Sequence, residues 1–456
     1  SWQWTLQQND LDTIERSLAI YPHLLWLRGY GQFGRDVFEQ ALHDLVHSPT
    51  ARSHPRYAVV YQLLNQEIGS FYYFLGDFDN SARYKETALS AARRMGNKSA
   101  MGEALTTLGT VLAWQGKSAL AHERLNEAVA LFTEQSDFNG LGDVQHELAR
   151  MAGYEGEYAK AKMLANQSLA SAEEILRPDW IAYALMERGV SSFCLGEYSE
   201  ARQDLERSLA FFEEIGHPVG TAFVLGELAW LTWAVGGAES AEAETRALRS
   251  LDIARKVNHR LQIAYRLAQL AQFANDRRDY GEAMRFAQEG VALATALHTP
   301  HFLSQNLSML AEAAYHQQDF AAARRHLVQA CRVAQEGKLQ SRVLLALFHA
   351  AILLWMEAEL PGEPNKRLEQ QSQAIMWLDL YLRHPAGWHV LKERGARRLA
   401  FMRAQAAEAA RLAAEHAASI DDLDDALAKA TNAILDWSTV PEGQYAEGEK
   451  WHPERQ

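Results

Sequence analysis

Five glycines, Gly76, Gly116, Gly156, Gly196 and Gly236, recur at one fixed interval of forty positions. Each opens a similar motif. Gly76-Asp77-Phe78 leads to Ser81, Gly116-Lys117-Ser118 to Ala121, Gly156-Glu157-Tyr158 to Ala161, Gly196-Glu197-Tyr198 to Ala201, and Gly236 to Ala241. The phase then slips by two and continues without glycine, as Arg278-Asp279-Tyr280 before Ala283 and Gln318-Asp319-Phe320 before Ala323. Self-similarity at a fixed period marks an architecture in which each unit buries its apolar face against its neighbours. A chain of 456 residues is also too long for one compact core, which favours an elongated array or several domains.

Other punctuation keeps the same phase. Pro178, Pro218 and Pro300 all stand at one fixed offset ahead of the turns at Gly196, Gly236 and Gln318, where proline suits the first turn of a helix. Gly96 and Gly216 fall midway between successive turns, in the position of a helix stop. Between these marks apolar residues fall at helical spacing, as in Leu105, Leu108 and Leu112. Helix formers dominate and β-branched residues are sparse, so each unit reads as helix, turn, helix, stop. The small residue five after each turn glycine lets the two helices approach closely.

Leu108-Gly109 in a first helix, Gly-Glu-Tyr at the turn, and Ala161 or Ala201 after it resemble the tetratricopeptide repeat family. The forty-residue period exceeds that family's usual length, which implies longer helices, as in the sensor arrays of bacterial signal-transduction ATPases with numerous domains and in cell-polarity adaptors. The resemblance covers roughly residues 8–383. It implies an all-α, right-handed α-α superhelix with C-terminal capping helices.

The expected divisions are lead-in helices and a degenerate first repeat around Gly29 over 1–53, seven hairpins over 54–337, and a degenerate eighth near Gly362 over 338–385. Capping helices over 386–437 follow, read as one long helix at 387–417 and another at 420–437, then a disordered tail over 438–456. The first residue is serine, and the chain is read as the C-terminal piece of a longer protein.

The net charge of −13 disfavours attraction to nucleic acid or anionic membrane. No apolar run approaches the ~20 residues that span a bilayer; Val343–Leu354 is too short and contains His349. Cys194 and Cys331 are read as reduced packing residues of a cytoplasmic protein.

Several apparent chemical motifs dissolve into the repeat. Gly116-Lys117-Ser118 resembles the end of a phosphate-binding loop, but Val111 stands where the earlier glycine belongs and helix precedes it. Gly29-Tyr30-Gly31-Gln32-Phe33-Gly34 spells a dinucleotide fingerprint without the strand that such a site requires. His146-Glu147 begins a zinc signature, yet Arg150 occupies the second ligand's place. No catalytic residue, metal or cofactor is expected.

In the resembled family the concave wall belongs to the first helix of each hairpin, with groove-facing positions 13, 10, 6, 3 and 2 before the turn. Carried onto this sequence, those positions give Trp114, His146, Arg150, Tyr154, Tyr183, Met186, Phe193, Phe223, Trp230, Trp233, Tyr265 and Tyr315 as groove residues, with Glu103, Asp143 and Glu312 among them. The resemblance implies a sensor that binds a small-molecule, peptide or protein inducer there and relieves autoinhibition through contact with a nucleotide-binding switch module outside this sequence. The alternative is a free-standing scaffold for partner peptides. A tetratricopeptide phosphatase ranks last, since too short a stretch precedes the clear array. No direct nucleic-acid or membrane partner is expected.

Overall fold

The computed structural model describes Thr5 and residues 10–237, 240–417 and 422–439. Among them are 23 α-helices and no strand, in the all-α array of hairpins that the period implies. Helices α1 (Leu11–Leu18), α2 (Tyr21–Leu27), α3 (Gly31–His47) and α4 (Pro49–Arg52) lead in. The hairpins are α5 (Tyr57–Phe74) with α6 (Phe78–Met95), α7 (Lys98–Trp114) with α8 (Ser118–Gln135), and α9 (Phe138–Glu155) with α10 (Tyr158–Glu174). They continue with α11 (Pro178–Leu195) and α12 (Tyr198–Glu214), α13 (Pro218–Gly236) and α14 (Ala241–Lys256), and α15 (Arg260–Asp276) and α16 (Tyr280–Ala296). Next come α17 (Pro300–His316) with α18 (Phe320–Glu336) and α19 (Gln340–Ala358) with α20 (Pro364–Arg383). The chain then forms α21 (His389–Gln405), α22 (Glu408–Ala417) and α23 (Leu423–Leu435).

The stops recur every half-repeat. Gly76, Gly96, Gly116, Gly156, Gly196 and Gly216 have φ between 65° and 88°, and Ser136, Leu176, Arg278, His298, Gln318 and Lys338 hold the same left-handed region at φ 51–66°. At each of these stops a longer bond closes the preceding helix: Asp77 N–H donates to Tyr72 O at 2.9 Å, and Lys117 N–H to Leu112 O at 2.8 Å. The next residue often caps the following helix. Asp77 accepts from Asn80 N–H, Asn97 from Ala100, Asp137 from Gly140 and Asp319 from Ala322, each at 2.9–3.1 Å. The phase slip sits where α13 ends, at Gly236 and Gly237, and α14 starts five residues after Gly236 rather than two.

Within a hairpin the helices meet at small residues. Gly109 of α7 faces α8, and a Cβ there would lie 2.5 Å from Leu125 Cγ and 3.2 Å from the Ala121 carbonyl oxygen. Ser81 Oγ donates to Gly69 O at 2.8 Å across the equivalent contact. Gly109→Val is expected to destabilise unit 1 (defined below) by about 1–3 kcal/mol, because the backbone oxygen cannot yield space. Urea unfolding of the variant measures it.

The chain divides into two compact units. Unit 1 takes the residues up to Leu270 together with Ala292–Pro300, and unit 2 takes Ala271–Val291 and the residues from His301. In unit 1 the lead-in helices pack Leu11, Ile14, Leu18, Phe38 and Leu45 against Val60, Leu64, Ile68 and Phe71 of α5. Unit 1 also folds back on itself. Phe74 and Leu75 form a cluster with Val219, Phe223 and Val257, the Phe74 and His259 rings stand edge-on at 5.0 Å, and Gly76 leaves room only for Leu297.

In unit 2, α23 buries Leu427, Ala430 and Ile434, while the Trp377 and Trp437 rings lie 5.8 Å apart and Arg324 lies 4.2 Å over Trp437. The segment read as one helix over 387–417 is two: Ala406 is extended, and Ala407 N–H reaches the Gln371 side chain at 3.4 Å. Beyond the break, Ala410 and Ala414 are both buried. Of the expected tail over 438–456, residues 438 and 439 close a 3₁₀ turn, Asp436–Thr439, that continues from α23 rather than being disordered, and the rest lies outside the described residues, as does Asp421.

Two helices, Pro218–Gly236 and Gln340–Ala358, do reach 19 residues with mean hydropathy 1.4 and 1.5. They are 78% and 89% buried inside the fold, and they carry Glu227 and His349. Their apolar character is that of helices packed on every side.

Candidate functional site

The literal motifs resolve as turns. Gly29 is a left-handed stop, Gly31 and Gly34 sit under the Phe74 and Phe71 rings, and Lys117 is the residue before α8 rather than part of a phosphate cradle. Among the described residues no three His, Cys, Asp or Glu side chains converge on a metal position.

The expected groove residues of unit 1 centre on one face of α9 and on the helices beside it. Asp143, Glu147, Arg150 and Tyr154, at steps of four, three and four residues, share one helix face, with His146 beside them one turn from both Asp143 and Arg150. Arg150 is ion-paired with Glu147; its guanidinium lies 4.7 Å over the Trp114 ring and 6.0 Å from that of Tyr154. Trp114 Nε1 and Arg150 Nη1 both donate to Tyr73 Oη, at 3.2 and 3.4 Å. The cation is thus held by a carboxylate, a phenol and two aromatic faces. His146 packs 5.4 Å from the Tyr183 ring and 6.1 Å from Trp180, and Tyr183 Oη lies 3.4 Å from His217 Nε2.

Farther along unit 1, Arg266 has no exposed side-chain surface. It donates to Glu227 Oε1 at 2.7 Å and Gln269 Oε1 at 2.9 Å, and Gln269 donates to Gly226 O at 2.8 Å. Other charges on the wall lack such partners. No described residue donates a hydrogen bond to the carboxylates of Glu67, Glu103, Asp143 or Glu187, and none forms an ion pair. Burial pushes Asp143 up to about 8, with Glu147 and Glu103 adding like charge. Burial also raises Glu187 to about 8 and Glu67 to about 7, against the opposing pull of Arg150 and Lys85 respectively. His146 is driven down to about 4 by the same desolvation.

Eleven of the twelve expected groove residues belong to unit 1. Arg150, Tyr154, Tyr183, Phe223 and Tyr265 keep partial exposure. Trp114, His146, Met186, Phe193, Trp230 and Trp233 are buried, the last two as an edge-on pair at 5.2 Å. Tyr315 belongs to unit 2, is fully buried and is hydrogen-bonded to His349 Nδ1 at 3.0 Å. Near it in unit 2, Glu312 accepts from Gln272 and Asn275 at 3.1 and 3.2 Å, and burial lifts it to about 8.

The carried-over positions missed the glutamates that precede the turns at a constant offset, Glu67, Glu147, Glu187 and Glu227. Their signal was available, since the last three repeat with the period of the turns themselves. Lys85 and Arg266 left no such trace, because Lys85 comes from a second helix and Arg266 from beyond the phase slip.

Residues 59–134 match the tetratricopeptide repeat family model. No curated protein matches the chain. Among solved structures, a Rap protein complexed with Competence and Sporulation Factor is 12% identical, with 78% of this chain and 99% of that one aligned at a TM-score of 0.50. A Signal Transduction ATPase with Numerous Domains protein with a tetratricopeptide repeat sensor, from Pyrococcus horikoshii, is 13% identical over 82% of this chain and 57% of its own, at a TM-score of 0.47. The quorum sensor NprR from B. thuringiensis is 17% identical over 73% of this chain and 96% of its own, at 0.46. At these identities the likeness concerns the fold alone. Residues 59–134 thus carry tetratricopeptide repeats, and the fixed period of the turns and the recurring left-handed stops continue the same array of α-hairpins along the described residues.

Proposed function

We propose that the inner wall of unit 1 is a ligand-binding surface and that the array serves as the sensor of a signal-transduction ATPase of the type with numerous domains. The observation that carries this reading is the face of α9 that bears Asp143, His146, Glu147, Arg150 and Tyr154, next to the partly exposed rings of Tyr183, Phe223 and Tyr265. Partly exposed rings beside charged side chains on one surface offer a ligand both apolar area and polar anchors. The mechanism is linkage: an inducer that binds one arrangement of the array more tightly shifts the population toward it, and an attached switch module is released from autoinhibition. The reading assigns no reaction to the chain and places it in the cytoplasm, in keeping with the buried thiols Cys194 and Cys331, which form no disulfide.

The second reading, a scaffold for partner proteins, is favoured by the fold class alone. A thermal-shift screen of metabolites and peptides against the wild type and Tyr183→Ala separates the two. A sensor groove gives a ligand that raises the melting temperature of the wild type and raises that of the variant by less than half as much. Stabilisation that is equal in both proteins places the ligand elsewhere, and a protein partner with no small ligand supports the scaffold.

A further inference from the structure

We propose that the ion pair between Arg394 of α21 and Asp276 of α15 is a clasp that holds unit 2 in a closed form, and that unit 2 opens between these two helices when the pair is broken. The inference is independent of the ligand surface proposed for unit 1.

The helices between the two partners form a connected row. Gln272 and Asn275 of α15 donate to Glu312 of α17 at 3.1 and 3.2 Å, and Tyr315 of α17 is hydrogen-bonded to His349 of α19 at 3.0 Å. Three further contacts set α21 beside α19. The Arg342 guanidinium lies 5.1 Å from the Trp388 ring, a Cβ on Gly395 would stand 3.3 Å from Phe348 Cε2, and the Trp355 and Phe401 rings are 6.4 Å apart. The partners follow the same order along both helices, so α21 runs parallel to α19 and extends the row as its fourth member.

Helices stacked in a straight row would hold their first and fourth members far apart, since each neighbour adds about 8–10 Å. Here they meet. Arg394 Nη1 lies 3.1 and 3.0 Å from the two carboxylate oxygens of Asp276. The row is therefore curled until its ends touch, and the side of the row that faces into the curl is enclosed. The two side chains are 26% and 12% exposed, so water screens their attraction only in part.

Closure is opposed from within the row. Asn275 and His349 are 3% and 2% exposed, yet Asn275 Oδ1 and His349 Nε2 have no hydrogen-bond partner among the described residues. Buried polar atoms without partners favour any arrangement that lets water or a ligand reach them. An attraction at the ends is thus set against unsatisfied groups between them, which is the balance of a two-state element. The backbone on either side of α21 is extended, with ψ 131° at Trp388 and 148° at Ala406, so α21 can turn about its ends while it stays helical.

Spin labels on Arg277→Cys and Arg397→Cys, exposed positions beside the two partners, report the separation in the full chain by pulsed electron resonance; the native Cys194 and Cys331 are buried. The expected result is one dominant short distance in the labelled chain with the pair intact. A longer distance gains on it about fivefold or more when Arg394→Ala is added, and again in about 1 M salt. Circular dichroism of the Arg394→Ala chain separates loss of the clasp from loss of helix. A distance distribution that a folded Arg394→Ala chain shares with the intact pair overturns the proposal. Should that variant fail to fold, salt titration of the intact pair decides, and a distribution insensitive to salt overturns it equally.

Discussion

Arg266→Ala is expected to lower the unfolding free energy of unit 1 by about 3–5 kcal/mol, since it strands Glu227 in a buried position. The guanidinium is wholly enclosed and donates to Glu227 and Gln269, so truncation removes two charge-assisted bonds and opens a cavity. Gly226 shows how tightly the group is held, for any side chain there would overlap the guanidinium. Gly226→Ala is therefore expected to destabilise unit 1 as well, although alanine has the higher helix propensity. The pair need not be worth its desolvation. Replacing both partners by apolar residues, Arg266→Met with Glu227→Leu, should restore most of the loss, because removing both charges avoids stranding either. Chemical denaturation of the single and double variants measures the difference, and additive losses would show that the two side chains do not act as a pair.

The second large effect is a fall in stability as pH rises from 6.5 to 8. Asp143 and Glu187 are raised to about 8 and Glu67 to about 7 in the folded chain. Such groups ionise near pH 4 when unfolded. Their contribution is complete below pH 4 and is lost as pH climbs through the folded values, since the native state then binds more protons than the unfolded one. The buried histidines run the other way. His146, His217 and His259 in unit 1 are lowered to about 4 by burial, so their contribution is complete above pH 6.5 and is lost as pH drops toward 4. Between pH 4 and 6.5 the two sets oppose each other. Lys85, lowered to about 8 by burial, titrates at the top of the range. From pH 6.5 to 8 the carboxylates act alone, and the expected loss in unit 1 is on the order of 2–4 kcal/mol. Asp143→Asn should flatten the slope, and a melting temperature independent of pH across this window would contradict the account of the wall.

The array was readable because its stops fall at fixed spacing and glycine marks most of them. Gly76, Gly116, Gly156 and Gly196 announce a left-handed residue, for which a side chain is a handicap. Ser136, Leu176, His298 and Lys338 adopt the same conformation without announcing it, since their helices are held in place by the neighbours on either side. The break at Ala406 carried no mark, because alanine favours helix; beyond it Ala410 and Ala414 are buried in unit 2.

The site was harder to read. Aromatics at groove positions drew attention, yet Trp230 and Trp233 are buried and pack against each other. The acidic residues beside the rings were less conspicuous in a sequence with 58 acidic residues. Burial is set by which repeats meet, and a one-dimensional period does not encode that.

Hydrogen-exchange mapping of the full chain with a stabilising ligand from the screen tests most directly whether the inner wall of unit 1 binds ligand. The account predicts added protection across α9 and α11, centred on Asp143, His146 and Tyr183, with little change along α10 and α12. Protection confined to α10 and α12, or to helices of unit 2, would contradict it.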